Sequence, residues 1–175
     1  MKVPPKPKYP IFQVADLAKH DAFIFGIPTR YGNFPAQWKT FWDQTGGLWA
    51  SGALIGKYAA VFVSTGTQGG GQESTVLNAL STLVHHGIVF VPLGYGEAFP
   101  ILSNVEEVRG GSPWGAGSFS GADNSRQPSS LELQLAAHQG KHFYTAIKKP
   151  LSAAGKKKRP LSAFAKSLFT RKSSS

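Results

Sequence analysis

Cysteine is absent from the 175-residue chain. Its absence excludes disulfide stapling, thiolate metal sites, a cysteine nucleophile and lipidation on sulfur, and it fits a reducing compartment. Any redox chemistry must therefore come from a bound cofactor. Long apolar runs are missing too, and none approaches the roughly 20 residues that span a bilayer. The start, MKVPPKPKYP, carries lysines without the apolar segment of a secretory signal. A soluble, unexported, cytoplasmic protein is the expectation. No carboxylate pair, Ser/His/Asp set or histidine cluster with metal spacing stands out, so hydrolase and metalloenzyme readings lack support. No metal site is assigned, and no catalytic side chain.

Acidic residues are scarce: 9 Asp and Glu stand against 19 Lys and Arg, a net charge of +10. That resembles a nucleic-acid signature until the charges are placed. Residues 1–147 hold ten basic residues and all nine acids, whereas 148–175 hold nine basic residues and no acid. The basic balance therefore belongs to a tail, and no nucleic-acid partner is expected. The length suits one domain, and 41% hydrophobic residues with 20 glycines read as a globular chain with functional loops. The organisation expected is an extended, linker-like segment over 1–10, an α/β domain over 11–148 and a basic tail over 149–175.

Along the chain, Asp16 to His20 closes a short helix, and Asp21 to Ile27 is a continuous apolar run of strand length. Pro35 to Gln44 places Trp38, Phe41 and Trp42 on one helical stripe, a spacing that marks core far more often than cofactor contact. Tyr58 to Val63 is a second buried-type strand and Ile88 to Val91 a third. Between them Val76, Leu77, Leu80, Leu83 and Val84 form a helical stripe ending at His85-His86-Gly87. Strands alternating with helices predict a parallel sheet with helices on both faces. Residues 94–128 are glycine-rich and aperiodic, which suits a binding or subunit-contact loop. Ser129 to Glu132 is a capping box opening a last helix to about Ile147, with Leu133, Ala136, Ala137, Gly140, Phe143 and Ile147 near one face.

Two loops follow strands at the same sheet edge: I-P-T-R-Y-G-N over 27–33 and S-T-G-T-Q-G-G-G-Q-E over 64–73. The second lacks the Lys-Ser/Thr of a P-loop and the G-x-G-x-x-G of a dinucleotide fold, and glycine clusters usually mark turns. Its place between a buried strand and a helix N-terminus offers backbone N–H groups to an electron-rich ligand.

With these two loops, D-Q-T-G-G-L-W-A-S-G-A-L (43–54), L-V-H-H-G (83–87), R-G-G-S-P-W-G-A (109–116) and D-N-S-R-Q-P (123–128) complete six ordered motifs over about residues 10–148. In that order they resemble the WrbA-type flavodoxin-like NAD(P)H:quinone oxidoreductases in their fungal form. The resemblance implies FMN as cofactor, NAD(P)H as co-substrate, a quinone substrate and two-electron reduction to hydroquinone. It implies that Thr29, Arg30 and Tyr31 line the isoalloxazine ring. Ser64, Thr65, Gly66, Thr67, Gln68, Gly69 and Gly70 would wrap the flavin, with His85 approaching from the neighbouring helix end. Trp49 would help wall the quinone and nicotinamide site, and a homo-oligomer, a tetramer in the family, is implied. Gln68 inside the glycine loop departs from the family pattern.

By the same resemblance, a first strand, a phosphate-binding loop, a long helix and a second strand are missing, which would leave the Asp21 to Ile27 strand as an exposed edge. A non-catalytic remnant or membrane-surface scaffold that has lost FMN binding is the alternative expectation. In the tail, Leu161, Phe164, Ala165, Leu168 and Phe169 recur at helical spacing among basic residues, a pattern that suits an anionic membrane surface, and Lys156 to Arg159 resembles a nuclear-import run. A solvated, disordered tail is the plainer reading.

Overall fold

Four parallel strands and five α-helices are built from residues 8–154, the part of the chain that the computed structural model describes. The order is β1 (Ala22–Pro28), α1 (Ala36–Asp43), α2 (Gly46–Ala50), β2 (Tyr58–Thr65), α3 (Ser74–His85), β3 (Val89–Phe90), α4 (Phe99–Leu102), β4 (Gly117–Phe119) and α5 (Ser130–Ala154). β1 runs beside β2 along its whole length, from Ala22 opposite Tyr58 to Pro28 opposite Ser64. The other side of β2 is shared: β3 pairs with Tyr58 and Ala59, and β4 with Val63 to Thr65. Among the described residues nothing pairs with the far edge of β1.

One core layer lies between the sheet and helices α1 and α3. Phe23, Phe25 and Ile27 alternate onto that face of β1, as a strand's period of two requires. The Phe25 ring meets Trp38 and Trp42 edge-on, with centroids 5.7 and 5.6 Å away. Each such aromatic stabilises the fold by about 1.5–3 kcal/mol through burial alone. The aromatic stripe of α1 is therefore core, as its spacing predicts.

Several expectations need correction. On α3 the buried residues are Thr75, Val76, Ala79 and Leu83, while Leu77 and Val84 are 44% and 69% exposed. An i, i+3, i+7 face has room for one stripe, and residues 77 and 84 stand beside it. On α5 the buried side chains are Glu132, Leu135, Gln139 and Phe143, whereas Leu133 is exposed. Two polar residues occupy the inner face because they satisfy backbone groups there. The third expected strand shrinks to Val89–Phe90, and its position along β2 is completed by β4, inside the stretch expected to lack regular structure. Helix α5 passes Ile147 and continues through Pro150 to Ala154.

The capping box of α5 is present: Glu132 N donates to Ser129 Oγ at 3.2 Å and Ser129 N to Glu132 Oε2 at 2.7 Å. The apolar periodicity over 160–172 and the first seven residues lie outside the described residues. No helix among the described residues is long and apolar enough to cross a membrane, and no metal-binding group is found among them.

Candidate functional site

The carboxyl edge of the sheet carries two loops side by side. In the first, Arg30 N donates to Asn33 O and Asn33 N to Arg30 O, at 2.9 and 3.0 Å. Tyr31 and Gly32 between them take φ of 54° and 72°, the left-handed pair of a two-residue hairpin turn. A tyrosine in that region is uncommon, and its ring projects fully into solvent. Arg30 folds back, its Nη1 donating to Thr29 O at 2.8 Å. The Thr29 hydroxyl accepts from Gly32 N and pairs with the buried Thr75 hydroxyl at 2.7 Å, tying this loop to the first turn of α3. Asn78 Nδ2 adds a bond to Gly32 O at 2.6 Å.

The second loop leaves β2 at Ser64 and Thr65. Thr65 is buried, and its hydroxyl donates to Thr67 O at 2.9 Å. Gly70 N donates to the same carbonyl at 3.1 Å. Gly66 to Gly70 are exposed, and the N–H groups of Gly66, Thr67, Gln68 and Gly69 donate to no acceptor among the described residues. A Cβ added at Gly66 or Gly69 would meet nothing within 4 Å. The result is a run of unengaged donors beside an exposed aromatic ring, with open space over the glycines. A polar cleft of about 630 Å³ lies on the other flank of this loop, against Asn104 to Arg109.

His85 and Trp49 do not join these loops within one chain. Helix α3 starts at the carboxyl edge and spends twelve residues returning, so His85 ends about 18 Å away at the opposite edge. There Gly56 N donates to Gly87 O at 2.9 Å and Val89 N to Lys57 O at 2.8 Å. Trp49, on α2, is 59% exposed and lies at that same amino edge. The buried Thr45 holds this corner, its hydroxyl donating to Trp42 O at 2.6 Å and meeting His86 Nε2 at 2.7 Å. The sequence motifs thus place their residues at opposite edges of one sheet.

Three residues outside the expected site organise the carboxyl edge: Gln72, Thr75 and Asn78. Their partners lie 39 to 46 residues away in sequence, so only the fold reveals them. Glu132 does the same for the R-G-G-S segment, accepting Gly110 N at 2.8 Å beside Arg126 Nη1 at 2.9 Å. Burial opposes its charge, but Arg126 and the Ser129 and Gly110 N–H groups outweigh that cost and hold the carboxyl below its usual range.

The family model for NADPH-dependent FMN reductases matches residues 13–96. The NAD(P)H quinone oxidoreductase PST3 of Candida albicans is 62% identical over 149 residues, covering 85% of this chain and 75% of that protein. Protoplast secreted protein 2 of Saccharomyces cerevisiae is 65% identical over 145 residues, covering 83% and 73%. Among solved structures, a flavodoxin, WrbA-like protein from Agrobacterium tumefaciens superimposes with a TM-score of 0.59 at 22% identity, covering 77% of this chain and 71% of that one, which shows a shared fold. Taken with the two-loop carboxyl edge, these likenesses establish that the chain belongs to the fungal flavodoxin-like NAD(P)H quinone oxidoreductases.

Proposed function

We propose that this chain is an FMN-dependent NAD(P)H:quinone oxidoreductase that reduces quinones to hydroquinones two electrons at a time. One observation carries the reading: the unengaged N–H groups of Gly66, Thr67, Gln68 and Gly69, beside the Tyr31 hairpin. Such donors fit the electron-rich carbonyl edge of a flavin, and the open space over Gly66 and Gly69 admits a flat ring. When bound, the flavin would supply the hydride chemistry that carries two electrons from NAD(P)H to the quinone, with protons from NAD(P)H and solvent completing the hydroquinone. The chain's own part is to bind and orient: loop 64–70 donates hydrogen bonds, and Tyr31 offers an aromatic face held in place by its turn. Arg30 supplies positive charge beside them.

Titration with FMN or riboflavin, followed by flavin fluorescence, is expected to saturate at one flavin per chain. No saturable binding of either would overturn the cofactor reading.

A second copy completes the site. Trp49 and His85 sit at the amino edge, too far from loops 27–33 and 64–73 to share a ligand within one chain. Pairing the amino edge of one copy with the carboxyl edge of another unites them, and a closed homo-oligomer such as a tetramer satisfies both edges of every copy. Mixing Trp49→Ala chains with Gly69→Val chains tests this, since position 69 has a φ of 69° that a β-branched residue cannot adopt without strain. Each variant alone is expected to be impaired and the mixture to recover turnover after exchange of subunits; a mixture no more active than its components would exclude shared sites.

A further inference from the structure

Gln72 lies at the end of the glycine loop, and its amide meets three separate segments. Nε2 donates to Thr65 Oγ1 at 2.8 Å and to Ser118 O at 3.1 Å, while Oε1 accepts from Gly111 N at 2.7 Å. Thr65 has one proton, which goes to Thr67 O. The hydrogen bonds therefore run in one direction, from Gln72 through the Thr65 hydroxyl to the Thr67 carbonyl, where Gly70 N also donates. With that carbonyl engaged from both sides, the N–H groups of Gly66 and Thr67 before it and of Gln68 and Gly69 after it donate to no acceptor among the described residues.

Neighbouring residues are shaped to seat this amide. A Cβ at Gly117 would run into Gln72 Oε1. A side chain is thus absent beside the amide at position 117 of β4. Only an amide serves here: two donors and one acceptor are needed, and Ser118 O and Gly111 N cannot exchange roles. A carboxylate would keep the bond from Gly111 N and set a second acceptor against Ser118 O.

We propose that Gln72 is the positioning residue of the flavin loop, holding the N–H groups of Gly66 to Gly69 toward the ligand. This rests on the flavin reading above and deepens it. Gln72→Met keeps the length and apolar stem without the hydrogen bonds; Gln72→Glu keeps the single acceptor. Two readouts on the full chain separate the proposal from a general stabilising role. In ligand-free protein, backbone order parameters of Gly66 to Gly69 are expected near the rigid value of about 0.85 in the unaltered chain and below about 0.6 in Gln72→Met. In the FMN titration, Gln72→Met is expected to bind at least about tenfold more weakly, a loss near 1.4 kcal/mol, and to lose the visible-band shift of bound flavin, with an intermediate loss for Gln72→Glu.

Equal affinity and spectrum in Gln72→Met overturn the proposal, as does a loop of unchanged order. If the unaltered chain binds no flavin, the flavin reading fails, and the order parameters alone decide whether Gln72 sets the loop. Should Gln72→Met fail to fold, Gln72→Glu carries both readouts.

Discussion

Arg126 Nη1 lies 2.9 Å from Glu132 Oε2, and Glu132 is 2% exposed while Arg126 keeps a face to solvent. Three further contacts converge on the same carboxylate: Ser129 N, Gly110 N and a second approach of Arg126 Nη1 to Oε1 at 3.1 Å. An acid held below its ordinary value of 4.5 binds its proton later in the folded state than in the unfolded state. Stability from this group is therefore fully present above pH 4.5 and is lost as pH falls through the depressed folded value. Asp16, Glu97 and Asp123 are also held low, first of all by hydrogen bonds to Lys19, to Lys141 and to Ser125 N, but they stand in solvent, where such pairs contribute little. Urea unfolding between pH 3 and pH 6 is expected to show the loss, and Glu132→Gln to flatten it. Removing the charge leaves Arg126 partly buried and unpaired, costing about 3 kcal/mol at neutral pH. An acid limb unchanged by Glu132→Gln would assign the slope to other groups.

Gly115 is the point of closest backbone approach. A Cβ there would strike the Val61 carbonyl oxygen, which cannot rotate away, and would crowd Gln139 Nε2 at 3.4 Å. Gln139 bridges the break between β3 and β4, donating to Val61 O at 2.8 Å and accepting Ala116 N at 2.9 Å. Gly115→Ala is expected to cost about 3 kcal/mol, the upper end of overpacking penalties. Gly46→Ala, inside α2 with nothing within 4 Å, should be neutral or gain up to about 1 kcal/mol. Equal effects of the two in thermal unfolding would contradict this assignment.

These residues also mark where the sequence is readable. β1, β2, α1 and α3 follow from apolar runs and periodicity, and the Ser129 and Glu132 capping box announces the start of α5. The inner face of α5 does not follow, because Glu132 and Gln139 are buried to satisfy Gly110, Ala116 and Val61 backbone groups that lie 22 to 78 residues away. A binary pattern counts both as surface. β4 is hidden for the same reason: three residues, Gly117 to Phe119, pair with β2 only because a long excursion returns there. For the site, both loops were legible as motifs, whereas the separation of Trp49 and His85 from them depends on the direction of α3. Motif resemblance groups residues without stating that they lie at opposite edges of the sheet.

Trp49 is half-exposed, and among the described residues its ring is in no aromatic pair. Trp49→Ala should therefore leave folding and flavin retention nearly unchanged while lowering turnover at limiting quinone, by about tenfold if one stacking face of the substrate wall is lost. A steady-state rate at limiting quinone equal to that of the unaltered chain would remove Trp49 from the substrate wall.

For the tail we propose an interfacial role. Leu161, Phe164, Ala165, Leu168 and Phe169 would bury at a headgroup boundary, while each nearby Lys or Arg adds about 1 kcal/mol on an anionic surface. The full chain is expected to float with anionic vesicles at low salt and to release as salt screens the charges. Changing Phe164 and Phe169 to Ser should abolish flotation. Binding indifferent to those changes would identify a plain polybasic tail.

The most direct test of the central claim is steady-state NAD(P)H oxidation by the purified chain with benzoquinone while FMN is varied. The account predicts a rate that saturates with both FMN and quinone and yields one hydroquinone per NAD(P)H consumed, with no semiquinone radical released. A rate indifferent to FMN, or none at any FMN concentration, would contradict it.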